Sequence, residues 1–412
     1  MRKHSRILAL LVLLVSVLGC ENDEKPQDGS DKYDLSLVQT DYHYIDVDST
    51  VGQVPYFSTI FTVNDTDFMA IQDRVQKKIH CHSLDGQVYR SISVANEEFG
   101  NLASFYIHNW DSIYIYALNR RDRPPQPGKE LFLINSDGEI TKEIPVGEQI
   151  NLYDPLGTEN DPYSESVYSD PWNSLSLVDN RLLIGLLPYD GETDATKKPY
   201  GGEIDIRNDR FSYHPLFQDL FTAQSVIYFQ YPIKHVDPTN KKILFGFRGT
   251  PTLKVWDFNS DPEEKPVEHT IQSDYLSLQN APSVDEAARA PNSSMLQMQI
   301  HWGTYGKILQ SPEDIYVRFV YYARQDSLFE VQYGNRKVPG PNNLLCSIVL
   351  FDKNFQKRGE SGTFEGLVDK NAGFSKDGTF YVLDYSEEGN EVNRLRYAKF
   401  RIEAIKPMQN ES

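Results

Sequence analysis

Short apolar runs separated by turn residues follow one another along most of the chain from residue 57 onwards. Alternation of apolar and polar positions along such a run is typical of a β-strand, in which successive side chains point to opposite faces. Several of the breaks contain Asp-Gly, as in Ser136-Asp137-Gly138 and Ser375-Lys376-Asp377-Gly378. Asp-Gly between two alternating runs is a strong signal for a β-hairpin. The pattern therefore predicts an all-β protein.

The predicted strands group into six units that share one plan of four strands with tight turns. The units cover residues 57–94, 101–146, 175–215, 229–271, 298–358 and 367–402. The sixth unit lacks its fourth strand, while an unassigned strand at 42–47 precedes the first unit. This arrangement predicts a six-bladed β-propeller in which the N-terminal strand closes the last blade. The alternatives are a β-sandwich or other generic β-protein, or a propeller of five or seven blades.

The long connections between the predicted strands all belong to one face of this propeller. In a blade of antiparallel strands A to D, the A–B and C–D turns lie on one face and the B–C and D–A connections on the other. All the predicted A–B and C–D turns are tight, whereas insertions of the other kind span residues 119–129, 147–171, 189–200, 216–228, 272–294 and 323–343. Loops longer than about 12 residues in a compact domain are usually functional or disordered. We expect this face to be the binding face. The alternative is that the loops form a mobile rim without a binding role.

The insertions carry a mixture of tyrosine and arginine that is typical of recognition surfaces. Tyrosine offers a rigid apolar ring with a polar tip, and arginine offers a fork of donors for carboxylates or sugar hydroxyls. The Pro-rich stretch Pro124-Pro125-Gln126-Pro127 would stiffen its loop. The candidate binding residues are Arg120, Arg121, Arg123, Tyr153, Tyr163 and Tyr189, accompanied by Tyr168 and Tyr200.

The N-terminus has the order of a secretory signal: a basic start, an apolar run from Ile7 to Leu18, and then Gly19-Cys20. The run has 12 residues, whereas a spanning helix needs roughly 20. Val17-Leu18-Gly19-Cys20 resembles the lipobox of bacterial lipoproteins, which implies cleavage after residue 19 and acylation of Cys20. Each buried methylene contributes ~0.8 kcal/mol, so two or three acyl chains anchor a protein stably. The alternative is an ordinary signal peptide in which Cys20 is incidental.

Residues 20–35 are predicted to be a flexible tether, because they are too polar to bury a core. The acidic start, Glu21-Asn22-Asp23-Glu24, resembles the export signal of Bacteroidetes lipoproteins that reach the cell surface. We therefore expect an outer-membrane lipoprotein, facing either the cell exterior or the periplasm, with the propeller over residues 36–412. The alternative is that the tether is a solvated linker that carries no localisation signal.

The charge of the chain limits its partners. The formal net charge is −18, and it falls to −21 when the signal peptide, which carries three basic residues and no acidic ones, is removed. Such a surface repels nucleic acid and anionic head groups, so no nucleic-acid partner is expected. Beyond Cys20 only Cys81 and Cys346 remain. Export permits a disulfide between them, but both lie in predicted strands, where we expect buried free thiols.

A family resemblance is carried by Ala372-Gly373-Phe374-Ser375-Lys376-Asp377-Gly378-Thr379-Phe380-Tyr381-Val382. An apolar strand, Ser-x-Asp-Gly and a second apolar strand resemble the repeat of TolB-like propellers. Together with the lipobox, this resembles an uncharacterised Bacteroidetes lipoprotein family with a six-bladed propeller. The resemblance implies no catalytic residues.

Common catalytic motifs are absent from the sequence. It contains no Gly-x-Ser-x-Gly elbow, no His-Glu-x-x-His motif and no Walker A loop. His80-Cys81-His82 is a weak metal candidate, because in a strand the two imidazoles share a face and Cys81 points away. Ser375 to Phe380 differs from the sialidase Asp-box and is interpreted as a β-turn. No metal or cofactor is expected.

These features favour a membrane-anchored envelope lipoprotein whose loop-rich face binds a partner protein or a glycan. The alternative is a propeller enzyme that cleaves glycan or peptide with carboxylates at the central channel. Such a glycosidase needs two carboxyl groups roughly 5 to 10 Å apart, which a linear sequence does not reveal.

Overall fold

The computed structural model describes residues 33–51, 55–85, 87–95, 101–118, 131–144, 165–167, 174–188, 201–213, 232–258, 260, 264, 266–276, 303–323, 330–333, 336–339, 344–386 and 393–405. Within these ranges every regular element is a β-strand. None of them contains a helix that could cross a lipid bilayer.

The strands form six small antiparallel sheets, the blades of a propeller, and are numbered here in chain order. The N-terminal strand is β1 (Leu35–Asp46). Blade 1 contains β2 (Ser58–Val63), β3 (Thr66–Asp73), β4 (Lys78–Ser83) and β5 (Val88–Ser93). Blade 2 contains β6 (Asn101–Asn109), β7 (Ser112–Leu118), β8 (Leu131–Ile134) and β9 (Ile140–Ile144). Blade 3 contains β10 (Glu165–Val167), β11 (Ser176–Val178), β12 (Arg181–Pro188), β13 (Gly201–Asp205) and β14 (Arg210–Tyr213).

The remaining blades follow the same order. Blade 4 contains β15 (Pro232–Asp237), β16 (Lys242–Phe247), β17 (Thr250–Asp257) and β18 (Val267–Thr270). Blade 5 contains β19 (Thr304–Gln310), β20 (Tyr316–Ala323), β23 (Leu344–Phe351), β24 (Lys357–Glu360) and β25 (Phe364–Glu365), with a separate hairpin of β21 (Glu330–Tyr333) and β22 (Arg336–Pro339). Blade 6 contains β26 (Leu367–Phe374), β27 (Phe380–Asp384) and β28 (Arg394–Ala404).

The first strand of each blade is innermost, and neighbouring blades contact each other around the ring. The innermost strand β26 of the last blade lies against β2 of the first and β19 of the fifth, which closes the circle. The predicted six-bladed β-propeller is confirmed.

The ring is sealed by the N-terminal strand, as predicted. β1 is the outermost strand of blade 6 and pairs antiparallel with β28, from Leu35 opposite Ala404 to Asp46 opposite Arg394. It begins seven residues before the predicted strand at 42–47. Because this pairing joins the two ends of the chain, the last blade forms only when both ends have folded.

Six apolar clusters fill the spaces between the blades, one for each pair of neighbours. Ile79 and Ile115 belong to the cluster between blades 1 and 2, and Phe319 and Phe380 to the one between blades 5 and 6. The other four join blades 2 and 3, 3 and 4, 4 and 5, and 6 and 1. Since both faces of each blade are covered, the middle strands are apolar on both sides, as in β23 with Cys346, Ile348, Val349 and Leu350 all buried.

Tight turns join the first and second strands of several blades. Asn64 and Asp65 join β2 to β3, and Asp179 and Asn180 join β11 to β12, and all four have positive φ angles between 49° and 63°. Two consecutive residues of positive φ form the type I′ turn that suits a two-residue hairpin. The loop at Ser375 is also a β-turn, because the Gly378 amide donates to the Ser375 carbonyl at 3.0 Å. The A–B turns, together with the C–D turns on the same side of the ring, form what is called here the short-turn face.

The opposite side, called here the long-loop face, carries the predicted insertions. Residues 119–129, 189–200 and 323–343 connect β7 to β8, β12 to β13 and β20 to β23, so they leave and rejoin the propeller on the same face. Two of the predicted loops contain strands that the sequence analysis missed. β10, in the 147–171 insertion, pairs with the end of β12, and β21 and β22, in the 323–343 insertion, pair with each other.

The two cysteines outside the signal region are free and buried. Cys81 lies in β4 of blade 1 and Cys346 in β23 of blade 5, which are not neighbouring blades. Burial raises the pKa of Cys81 to about 12 and also raises the pKa of Cys346. Neither thiol is therefore a thiolate at neutral pH, and thiolates are the reactive form.

Candidate binding site at the long-loop face

The binding and lipidation residues predicted from the sequence lie outside the described ranges. These residues are Cys20, Arg120, Arg121, Arg123, Tyr153, Tyr163, Tyr168, Tyr189 and Tyr200. They remain predictions, and the topology adds only that the B–C insertions begin and end on one face. The described residues on that face reveal a different group, at the end of the central channel.

The group begins with a bulge in β26, the innermost strand of blade 6. Val368 pairs with Leu383 and Ala372 with Val382, so Asp369, Lys370 and Asn371 have no partners in β27. The adjacent innermost strand, β19 of blade 5, has a second register shift between Tyr305 and Ile308. Bulges are common next to functional sites, where they redirect side chains. Both lie in the first part of an innermost strand, and these strands start at the long-loop face.

The two bulges hold each other in place. The Lys307 amide donates a hydrogen bond to Asp369 Oδ2 at 2.8 Å, and the Lys307 ammonium donates to the Ala372 carbonyl at 3.2 Å. The Asp369 amide donates to the Tyr321 hydroxyl at 2.9 Å. A Cβ atom on Gly306 would lie 2.4 Å from Asp369 Oδ2, so the contact requires glycine at that position.

Blade 1 completes the group. Asn371 is fully buried, and its Nδ2 donates to the Pro55 carbonyl at 3.0 Å, while its Oδ1 has no hydrogen-bond partner among the described residues. Tyr56, which follows Pro55 in the chain, lies under two cations. The Arg74 guanidinium carbon is 3.2 Å from the centre of the Tyr56 ring, and Lys370 Nζ is 5.3 Å from it. Residues from the two ends of the propeller sequence therefore meet here.

The group is electropositive. Tyr56, Arg74 and Lys370 are called here the cation–tyrosine cluster; Arg74 is exposed, and Tyr56 and Lys370 are half-buried. Burial lowers the pKa of Lys370, Arg74 lowers it further, and Asp369 acts in the opposite direction. In the described part of the chain neither Arg74 nor Lys370 forms an ion pair with a carboxylate. Among the described residues, the cluster therefore holds two cations that form no ion pair.

The described carboxylates of the innermost strands do not form a catalytic pair. Those whose side chains the structure describes are Asp369, near the start of β26, and Asp237, the last residue of β15, at opposite ends of the channel. Asp237 is fully buried. It accepts hydrogen bonds from the Tyr316 hydroxyl and from the Asn240 amide, the latter at 2.8 Å. Burial alone would raise the pKa of Asp237, but these bonds outweigh it and hold the pKa below its ordinary value.

The His80-Cys81-His82 segment has the alternation expected of a strand. The Cys81 side chain is buried in the apolar cluster between blades 1 and 2. The imidazoles of His80 and His82 share the other face with ring centres 6.4 Å apart, and His80 Nδ1 lies 2.8 Å from the Ser91 hydroxyl. No group of three or more potential metal ligands occurs among the residues that the structure describes.

The cation–tyrosine cluster was not predicted from the sequence, although one signal was present. Asp369-Lys370-Asn371 is a charged and polar triplet inside the otherwise apolar strand Leu367–Phe374. A polar interruption in an innermost strand indicates a bulge or a channel-facing group. Tyr56 and Arg74 had no comparable signal, because each stands beside a strand rather than within it.

Comparisons with known proteins agree with the fold. No family model and no curated protein matches the chain. Among solved structures it is similar to a member of the DUF4221 family from Bacteroides vulgatus, with 15% sequence identity and a TM-score of 0.67, over 90% of this chain and 99% of that one. The chain is a structural neighbour of the DUF4221 family.

A second similar structure is a protein from Bacteroides fragilis that is named as an exported protein. It shares 14% sequence identity and a TM-score of 0.50, over 89% of this chain and 95% of that one. At these identities the likeness to both structures shows the six-bladed propeller fold. The resemblance to TolB-like propellers and the attachment to lipid stay predictions from the sequence.

Proposed function

We propose that the protein is an exported envelope lipoprotein, anchored by acylated Cys20, whose long-loop face binds a partner protein or a glycan of the cell envelope. The observation that carries the proposal is the asymmetry of the two faces. Tight turns close one face, whereas the insertions with their tyrosines and arginines leave from the other, around an electropositive channel end. The structural neighbour from Bacteroides fragilis, which is named as an exported protein, supports the location.

Lipid attachment is tested by replacing Cys20 with Ser. The wild-type protein should incorporate an acyl label and fractionate with membranes. Cys20→Ser should remain unprocessed or soluble and should carry no label, because the acyl acceptor is missing. A variant with Cys81→Ser, which leaves the lipobox intact, is the matched control. Acyl label on Cys20→Ser would contradict the proposal.

Binding by the long-loop face is tested with the triple variant Arg120→Ala, Arg121→Ala and Arg123→Ala. Its free energy of unfolding should change by no more than ~0.5 kcal/mol, as is usual for exposed positions. Binding to the partner found by glycan arrays and by cross-linking in intact cells should weaken by ~2 kcal/mol or more, as for interface anchors. The control is Lys353→Ala, an exposed cation on the short-turn face. Equal binding by the triple variant and the control would contradict the proposal.

The enzymatic alternative requires two carboxylates across a pocket, about 5 to 10 Å apart. Asp369 and Asp237 do not meet this requirement, since they lie at opposite ends of the channel and Asp237 is held by Tyr316 and Asn240. No observation on the described residues favours the enzyme over the binding protein.

A further inference from the structure

We infer that the cation–tyrosine cluster is a binding site for an oxyanion, the carboxylate, sulfate or phosphate group of a small molecule or of a glycan. The site consists of Arg74 and Lys370, supported by the Tyr56 ring and by the bulge of β26. It lies on the long-loop face, and to that extent the inference rests on the proposed function, but it uses none of the loop residues.

The geometry of Arg74 leaves its donors available. The guanidinium carbon lies 3.2 Å from the centre of the Tyr56 ring, so the ring covers one face of the cation. The N–H groups of a guanidinium lie in its plane and point away from a ring stacked on its face. Such a fork matches the two oxygens of a carboxylate, sulfate or phosphate. Arg74 is exposed at the B–C turn between β3 and β4, where a ligand can reach it.

The second cation is held close to the first. Lys370 Nζ lies 5.3 Å from the centre of the same ring, and Arg74 contributes to lowering the pKa of Lys370. Two like charges that share one ring repel each other, and an anion between them would relieve the repulsion. The neighbours of Lys370 in the bulge are held in place, because Asp369 bonds to Lys307 and Tyr321 and Asn371 bonds to Pro55.

The cluster contrasts with other cations of the protein. Lys241 pairs with Asp179 at 2.7 Å, Lys376 with Asp65 at 2.7 Å, and Arg396 with Asp384 at 2.9 Å. In a chain with 59 acidic residues against 41 basic ones, a carboxylate partner for an exposed arginine is easily found. Arg74 and Lys370 nevertheless have none among the described residues. A site with two cations that form no ion pair among the described residues, and with Asp369 as the carboxylate that acts on Lys370, is suited to an external anion.

The test is isothermal titration calorimetry on the mature protein with sodium sulfate, sodium phosphate and sodium D-glucuronate, and with D-glucose as the uncharged control. At least one anion should bind and glucose should not. Arg74→Gln and Lys370→Gln should each weaken binding at least about tenfold, the loss expected for one charge-assisted hydrogen bond. Lys353→Gln and Arg210→Gln, which remove exposed cations elsewhere, should bind as the wild type does. Arg74→Lys should recover part of the affinity, because it restores the charge but not the fork.

The preferred anion identifies the source of the oxyanion group: glucuronate indicates an acidic sugar, and sulfate or phosphate an ester group. Absence of binding by all three anions at millimolar concentration would overturn the inference. Affinities unchanged in Arg74→Gln and Lys370→Gln would overturn it too. Thermal unfolding of each variant verifies that the fold is intact. If no anion binds while the triple variant of Arg120, Arg121 and Arg123 still loses its envelope partner, only the oxyanion site is refuted. If an anion binds while the triple variant keeps its partner, only the proposed binding by the loops is refuted.

Discussion

The two faces of the propeller use their charged residues in different ways. On the short-turn face, charges join neighbouring blades: Lys376 of blade 6 bonds to Asp65 of blade 1, and Lys241 of blade 4 to Asp179 of blade 3. At the long-loop face, Arg74 and Lys370 pack on Tyr56 and form no ion pair with a carboxylate among the described residues. The short-turn cations form ion pairs between blades, whereas Arg74 and Lys370 at the long-loop face remain available to a ligand. Ligand binding should therefore be sensitive to changes in the exposed cations of the long-loop face. The free energy of unfolding should be more sensitive to changes in buried groups.

The largest expected effect comes from Arg318, which is fully buried in β20 and supports the long-loop end of blade 4. Its guanidinium donates to the carbonyls of Pro251 at 2.9 Å, Thr250 at 3.1 Å and Phe247 at 3.2 Å. Burial lowers the pKa of Arg318 to about 10, so it stays charged at neutral pH. Arg318→Met should lower the free energy of unfolding by about 3 kcal/mol, since buried carbonyls lose their donors. Urea denaturation measures this, with Arg210→Met as the exposed control; a loss no larger than the control's would contradict the prediction.

The next effect depends on pH and comes from the short-turn half of the channel. Burial lowers the pKa of His235 from 6.5 to about 4. Between these values the unfolded chain binds a proton at His235 and the folded chain does not, so stability falls as the pH falls. The loss should reach up to about 3 kcal/mol. His235→Gln should lose less stability than the wild type over this range. Urea denaturation across the range checks this, and parallel losses in the two proteins would contradict it.

The smallest effect is expected on the surface of the short-turn face. Lys376 Nζ donates to Asp65 Oδ1 at 2.7 Å and to the Asp65 carbonyl at 2.5 Å, and both side chains are exposed. Lys376→Ala should lower the free energy of unfolding by no more than about 1 kcal/mol, and high salt should reduce the difference because exposed pairs are screened. A larger loss that persists in high salt would show that this contact does more than an exposed ion pair.

Hairpin signals predicted more of the fold than alternation did. Asn64-Asp65 and Asp179-Asn180 form turns with positive φ angles. Only a few residue types adopt such angles readily, so these turns can be predicted from the sequence. Alternation was a weaker guide, because strands such as β23 are covered on both faces and read as continuous apolar runs. The short strands β10, β21 and β22 were missed for the opposite reason: their segments are too polar and too short to stand out from loops.

The sequence by itself determined the six repeated units, their tight turns and the strand that closes the ring, because these depend on local periodicity and turn chemistry. Only the tertiary structure decided which side chains meet at the channel. A bulge is defined by the register of a strand against its partner, so the polar triplet Asp369-Lys370-Asn371 indicated a bulge but did not reveal which side chains it contacts. Ring closure then places blade 6 beside blade 1 and brings Lys370 to Tyr56 and Arg74. Contacts between residues so far apart in the chain arise from packing between blades, which no local pattern encodes.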